Sequence, residues 1–159
     1  MHRVHILPYM NEKIRSAARR ASAELTKAGI VHAICGGLAV GHYGYPRMTV
    51  DVDFAVGDDA FNHHPGGLVT LKIPIISVDG VPVDFVSAPF EAAGELDGVP
   101  VVSLQTLVEM KLGAGRAKDI ADVVELIKRG AIAPETIAVP PGLRDRWARA
   151  QRLAETEDE

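Results

Sequence analysis

The run Cys35-Gly36-Gly37-Leu38-Ala39-Val40-Gly41-His42-Tyr43-Gly44-Tyr45-Pro46-Arg47-Met48-Thr49-Val50-Asp51-Val52-Asp53-Phe54-Ala55-Val56 decides how the rest of this chain is read. Residues 30–34 lead into it as an expected first strand. Gly36 and Gly37 carry no Cβ, so the backbone can turn sharply there and approach another group closely. Residues 38–43 predict a short helix whose first N–H groups and positive dipole end suit an anion, most often a phosphate. Residues 48–56 alternate and are rich in β-formers. A strand there puts Asp51 and Asp53, two apart, on one face.

Two neighbouring carboxylates repel, and one pKa rises unless a cation sits between them. A hard divalent ion such as Mg²⁺ takes a couple of carboxylates and completes its shell with phosphate oxygens. A lone Asp-x-Asp reads as two solvated acids at a sheet edge, and a lone Gly-Gly as a plain turn. Their combination at this spacing, with Arg47 and Thr49 just before the first Asp, points instead to phosphoryl-type chemistry on a nucleotide.

Gly36-Gly37 followed by Thr49-x-Asp51-x-Asp53 resembles the signature of the DNA-polymerase-β-like nucleotidyltransferase superfamily. The longer phrase GGLAVGHYGYPRMTVDVDFAV is similar to the small bacterial members. These include the minimal, antibiotic-modifying, abortive-infection and type IV toxin–antitoxin nucleotidyltransferases. The resemblance implies an α/β (α+β) nucleotidyltransferase fold: a mixed, twisted sheet of about five strands flanked by helices, with a helical C-terminal part. It also implies a nucleoside triphosphate substrate and Mg²⁺ or Mn²⁺ as cofactor.

At 159 residues the chain is long enough for one domain with a real core. Hydrophobic residues make up 47% and charged ones 24%, an ordinary globular balance rather than a disordered one. The single cysteine, Cys35, excludes an internal disulfide and a cysteine-paired zinc site. No apolar leader or membrane-length run is evident, and a cytoplasmic setting is expected. The net charge is −4, all of which Glu155, Glu157, Asp158 and Glu159 account for. The body is therefore neutral, which weighs against a broad phosphate-binding surface while leaving room for a local patch. The expected organisation is a core over 1–130, a helical extension over 131–154, and an acidic, disordered tail over 155–159.

Asn11 is a good N-cap for a helix to about Ala28, with Gly29 as its stop. Ile14, Ala18, Ala21, Leu25 and Ala28 line its apolar face. Residues 61–67 carry breaker signals and predict an exposed loop, in which adjacent His63 and His64 are poor candidates for joint metal ligation. Residues 68–78 and 81–87 read as two strands joined by an Asp79-Gly80 hairpin turn. Asp84 then stands between apolar neighbours, where a carboxylate needs a metal, a hydrogen bond or a solvent-facing edge, and Pro82 suggests an edge. The resemblance implies that Asp84 is the third catalytic carboxylate and metal ligand beside Asp51 and Asp53. Residues 91–98 read as a polar connection, and residues 99–102 as a short last strand.

Ser103 caps a helix reaching Lys111. The stretch 113–119 reads as a break, and a second helix runs from Asp119 to about Arg129. The segment LVEMKLGAGRAKDIADVVELIK resembles the helices that follow the catalytic strands in toxin-type nucleotidyltransferases. By that likeness Lys111 neutralises triphosphate charge with help from Arg116 and Lys118, and Asp119 orients Lys111 or touches the nucleotide. The implied nucleotide-binding set is Gly36, Gly37, Arg47, Thr49, Lys111, Arg116 and Asp119. The bland reading is a helical hairpin with solvated charges and Asp119 as a helix-start acid. A last helix from Leu143 to about Ala154 places Leu143, Trp147, Ala150 and Ala154 on one face.

The function these features imply is metal-dependent transfer of a nucleoside monophosphate from a triphosphate to an acceptor hydroxyl on tRNA, protein or a small molecule such as an antibiotic. An antitoxin or a second copy of the chain is a conceivable partner. The alternative is an inactive protein of the same fold that binds a nucleotide or serves as one half of a toxin–antitoxin pair.

Overall fold

Asn11 accepts a hydrogen bond from the Lys13 amide at 2.7 Å and so starts helix α1 (Glu12–Lys27). Such a cap contributes about 1 kcal/mol. The computed structural model describes residues 11–73 and 75–157, so Asp158 and Glu159 of the expected tail lie outside the described residues. Gly29, at φ 74°, ends α1 and redirects the chain. Ile14, Ala17, Ala18, Ala21 and Leu25 are buried, whereas Ala28 at the far end of the expected face is exposed.

The remaining long elements are β1 (His32–Cys35), α2 (Gly36–His42), β2 (Val52–Val56), β3 (Phe61–His63), β4 (Val69–Leu71), β5 (Ser77–Val78) and β6 (Val81–Ser87). After them come β7 (Ala92–Leu96), β8 (Val99–Val102), α3 (Leu104–Ala114), α4 (Ala117–Lys128) and α5 (Arg144–Glu157). Six strands make one mixed sheet in the order β5-β6-β2-β1-β8-β7, and β3 and β4 form a separate hairpin. β1 and β2 are antiparallel, while β2–β6 and β1–β8 run parallel. This is the expected α/β architecture with one strand more than anticipated.

The two faces of the sheet divide the labour, because side chains alternate along a strand. On one face Ile34, Val52, Phe54 and Val83 are buried. There His32 bonds Ser22 of α1 at 2.6 Å and meets the Phe54 ring edge-on, and Phe54 stacks on Phe85. The other face carries Cys35, Asp53 and Asp84 in three adjacent strands, with Cys35 opposite Asp53 and Asp53 opposite Asp84.

Several boundaries differ from the sequence reading. β1 starts at His32 rather than residue 30, because Ile30 still bonds back to Leu25 at the end of α1. β2 starts at Val52 rather than residue 48. Its partner β1 ends at Cys35, opposite Asp53, and its pairing with β6 begins only at Val52, opposite Val83, so residues 48–51 stay unpaired. The expected strand over 68–78 is two short ones, β4 and β5. The expected loop over 61–67 contains β3, whose partner is β4. His63 and His64 are exposed and bond Asp58 and Thr70 separately. β6 is not the outermost strand, although β5 covers only Val81 and Pro82 of it.

The largest departure is β7, which occupies the expected connection over 91–98 and pairs antiparallel with β8. Asp97 and Gly98, at φ 53° and 82°, form the intervening tight turn. α4 begins at Ala117, so the break between α3 and α4 is shorter than anticipated. α5 starts one residue after Leu143 and runs to Glu157, taking Glu155 into the helix. It packs on α4 through Ala150 and Ala154, with Trp147 half-buried beside them.

Candidate active site

The strand-to-helix switch at Gly36 shapes the site. Gly36 sits at φ 64°, where an L side chain is strained, and a Cβ built on it would lie 2.1 Å from Asp53 Oδ2. A Cβ on Gly37 would lie 2.9 Å from Thr49 Oγ1 and 3.5 Å from Arg47 Nη1. The close approach expected of these glycines is thus to the run entering β2 and to Asp53 itself. α2 continues from them with Leu38, Ala39 and Val40 buried, and Tyr43 at its end donates to the Val102 carbonyl at 2.7 Å.

Asp51, Asp53 and Asp84 each bring a carboxylate oxygen within 4.8 Å of the others. The third carboxylate therefore faces the first two, although it arrives on a different strand and Asp51 lies just outside β2. Asp51 and Asp53 are half-buried and Asp84 is exposed at the mouth. Burial, then the charges of Asp51 and Asp84, push the Asp53 carboxyl up to about 6, with Lys111 and Lys118 pulling the other way. A desolvated acid beside two like charges is what an all-oxygen cation site looks like when its own residues are taken alone. The donor set is all carboxylate, with no imidazole or thiolate in it, and so suits a hard divalent cation.

Opposite the acids, α3 and α4 supply a cationic wall. Lys111 is almost wholly buried, and its Nζ lies 3.3 Å from Asp119 Oδ1 and 2.8 Å from Asp122 Oδ2. Arg116 donates to Asp119 from Nε at 2.7 Å and from its backbone N–H at 3.2 Å. Burial opposes ionisation of Asp119, but Arg116 and Lys111 outweigh it and hold the carboxyl below its ordinary value. Arg47 reaches across from the run before β2 to grip Asp122 with Nε at 2.9 Å and Nη2 at 2.8 Å.

Between the walls is a cleft of about 530 Å³. All ten residues singled out from sequence line it: Gly36, Gly37, Arg47, Thr49, Asp51, Asp53, Asp84, Lys111, Arg116 and Asp119. Lys118 lines it as well, and Val86, Leu107, Met110 and Ala114 give it an apolar part. Asp119 bonds Lys111, one of the two roles expected of it, and Asp122 is a second, unexpected carboxylate on the same ammonium. Asp122 is a residue that the sequence analysis did not single out. Its i, i+3 spacing from Asp119, on the face that also buries Ile120 and Val123, was the available signal.

No known protein-family pattern matches the sequence, and no curated protein matches it. Among solved structures, the chain is similar to an antigenic nucleotidyltransferase-like protein from Paracoccidioides brasiliensis. The two share 18% identity over 93% of this chain and 92% of that one, with a TM-score of 0.55. At this identity the likeness is one of fold, and the fold is nucleotidyltransferase-like. Among the described residues no helix is long and apolar enough to cross a membrane.

Proposed function

We propose that this chain is a metal-dependent nucleotidyltransferase that moves a nucleoside monophosphate from a nucleoside triphosphate to an acceptor hydroxyl. One observation carries the reading: three carboxylates from two strands and the run before them converge within 4.8 Å, facing a cationic wall across a cleft of about 530 Å³. Asp51, Asp53 and Asp84 would hold Mg²⁺ or Mn²⁺. When bound, the ion would neutralise phosphate charge and stabilise both the attacking and the leaving oxygen of an in-line displacement.

The chain's own groups do the rest. Gly36 and Gly37, lacking Cβ atoms, let Asp53, Thr49 and Arg47 pack against their backbone and so hold the acids and the lead-in to β2 in place for the phosphate tail. Arg47, Lys111 and Arg116 receive its negative charge, and Thr49 lies beside them. Asp84, exposed on β6, accepts a hydrogen bond from the acceptor hydroxyl and takes its proton as the oxygen bonds to the α-phosphorus. The bond between that phosphorus and the bridging oxygen breaks, and pyrophosphate leaves along the cationic wall.

The test is incubation with each α-labelled nucleoside triphosphate, Mg²⁺ and separate pools of tRNA, cell protein and antibiotics. Wild-type protein should label one pool and Asp51→Asn should label none. Equal labelling by Asp51→Asn, or no labelled product from wild type in any pool, contradicts the reading.

A further inference from the structure

We propose that Asp122 is a positioning residue for the phosphate-binding wall of the cleft, acting through Arg47 and Lys111 and touching no substrate itself. The inference rests on the nucleotidyltransferase reading above and adds to it a residue that the carboxylate cluster does not include.

Asp122 is 3% exposed, and both of its oxygens are used. Oδ1 accepts from Arg47 Nε at 2.9 Å, and Oδ2 accepts from Arg47 Nη2 at 2.8 Å while lying 2.8 Å from Lys111 Nζ. A buried carboxylate is costly unless paired in good geometry, and this one is paired twice. A bidentate fork fixes the plane of a guanidinium as well as its distance.

Three chain segments that are separate in sequence meet on this one side chain. Arg47 belongs to the run that leads to Asp51, Lys111 to α3 and Asp122 to α4. The Arg47 guanidinium also lies against Gly37, where a Cβ would come within 3.5 Å of Nη1. Asp122 thus ties the glycine turn, the lead-in to the acids and the lysine of α3 into one body. Lys111 also pairs with Asp119, which in turn holds Arg116, so the wall is a chain of alternating charges. Without a carboxylate of the right length at position 122, Arg47 and Lys111 repel each other and relax away from their present places.

What such a wall can recognise is the triphosphate tail, not the base or the sugar. Moving Asp122 should therefore weaken a triphosphate far more than a monophosphate. A merely structural residue would lower stability and leave that ratio alone.

The test titrates full-length wild type with Mg²⁺ and each of the four nucleoside triphosphates by calorimetry, then compares the triphosphate that binds (ATP below) with its monophosphate (AMP below) for wild type, Asp122→Asn and Asp122→Glu, with melting temperatures alongside. Asp122→Glu keeps the charge balance and hence the fold if the shorter amide variant fails to fold. The ATP affinity of either folded variant should fall about tenfold, the scale of one charge-assisted contact, with AMP affinity changed less than about twofold. If wild type binds ATP and both folded variants keep its ATP-to-AMP ratio, this inference is overturned alone. If wild type binds none of the four nucleoside triphosphates, the function proposed above falls and takes this inference with it.

Discussion

Arg47 and Asp122, 75 positions apart, form a two-bond ion pair that closes the back of the cleft. Breaking a buried pair from one side costs more than the pair is worth, because the remaining charge is stranded. Arg47 is 29% exposed, which softens the penalty, and Lys111 still partners the carboxylate. Arg47→Ala should therefore destabilise the fold by about 1–3 kcal/mol in urea unfolding. An unchanged midpoint would mean that the pair is solvated in solution.

The glycine pair invites a contrast. Gly36→Ala must strain a backbone at φ 64° and drive a methyl to within 2.1 Å of Asp53 Oδ2. Gly37→Ala needs no left-handed backbone, but its methyl meets Thr49 at 2.9 Å from Oγ1 and 3.2 Å from Cβ, with Arg47 Nη1 at 3.5 Å. The first variant should lose about 1–2 kcal/mol from the backbone alone and should bind Mn²⁺ poorly. The second must push Thr49 aside but strains no backbone, so it should lose less stability and keep more of its Mn²⁺ affinity. Melting curves and Mn²⁺ titrations on the two proteins check this, and equal effects would contradict it.

The Asp53 carboxyl, raised by burial and by Asp51 and Asp84 to about 6, sets the pH behaviour. Between its ordinary value of 3.8 and about 6 the folded metal-free protein binds more proton than the unfolded chain. Its stability therefore falls as pH rises through that window, and the deficit is complete above it. Asp53→Asn should raise the stability of the chelator-treated protein at pH 7.5 by about 1–3 kcal/mol. Proton and divalent ion compete for the same carboxylate, so wild-type metal affinity should drop by up to about tenfold per pH unit below about pH 6. A flat affinity profile from pH 5 to 7, or a destabilised Asn variant, would go against this account.

Cys35 is buried between the sheet and α2, and burial together with the Asp53 charge pushes its thiol up to about 12. A protonated, inaccessible thiol does not attack alkylating reagents. Iodoacetamide at pH 8 should leave the folded protein unlabelled and label it once in 8 M urea, by mass spectrometry. Rapid labelling of folded protein would show that the floor of the cleft opens.

Much of this arrangement was legible in the residues. The start of α1, its end and the start of α3 followed from Asn11, Gly29 and Ser103, which act within a few residues of themselves, whereas the break between α3 and α4 was read too long. The Asp79-Gly80 hairpin was equally local. The strand edges were not, because pairing depends on a distant partner: residues 48–51 look like strand and stay unpaired. β7 was hidden by its Ala-Ala-Gly-Glu-Leu composition, although Asp97-Gly98 carried the same hairpin signal as Asp79-Gly80. Gly36, Gly37, Asp51 and Asp53 lay in a short motif and could be read from it, whereas Asp84, on another strand, was singled out only through the family resemblance. Asp122 could not, since its meaning depends on Arg47 and Lys111, which only the folded chain brings to it.

The account stands or falls on Asp51, Asp53 and Asp84 sharing one divalent cation. Mn²⁺ titration followed by electron paramagnetic resonance measures this directly, on wild type and on Asp51→Asn, Asp53→Asn and Asp84→Asn. Wild type should bind one or two Mn²⁺ ions, and each substitution should weaken that binding at least about tenfold while the protein stays folded. Wild-type protein that binds no Mn²⁺, or an Asp84→Asn variant that binds it as tightly as wild type, would contradict the claim.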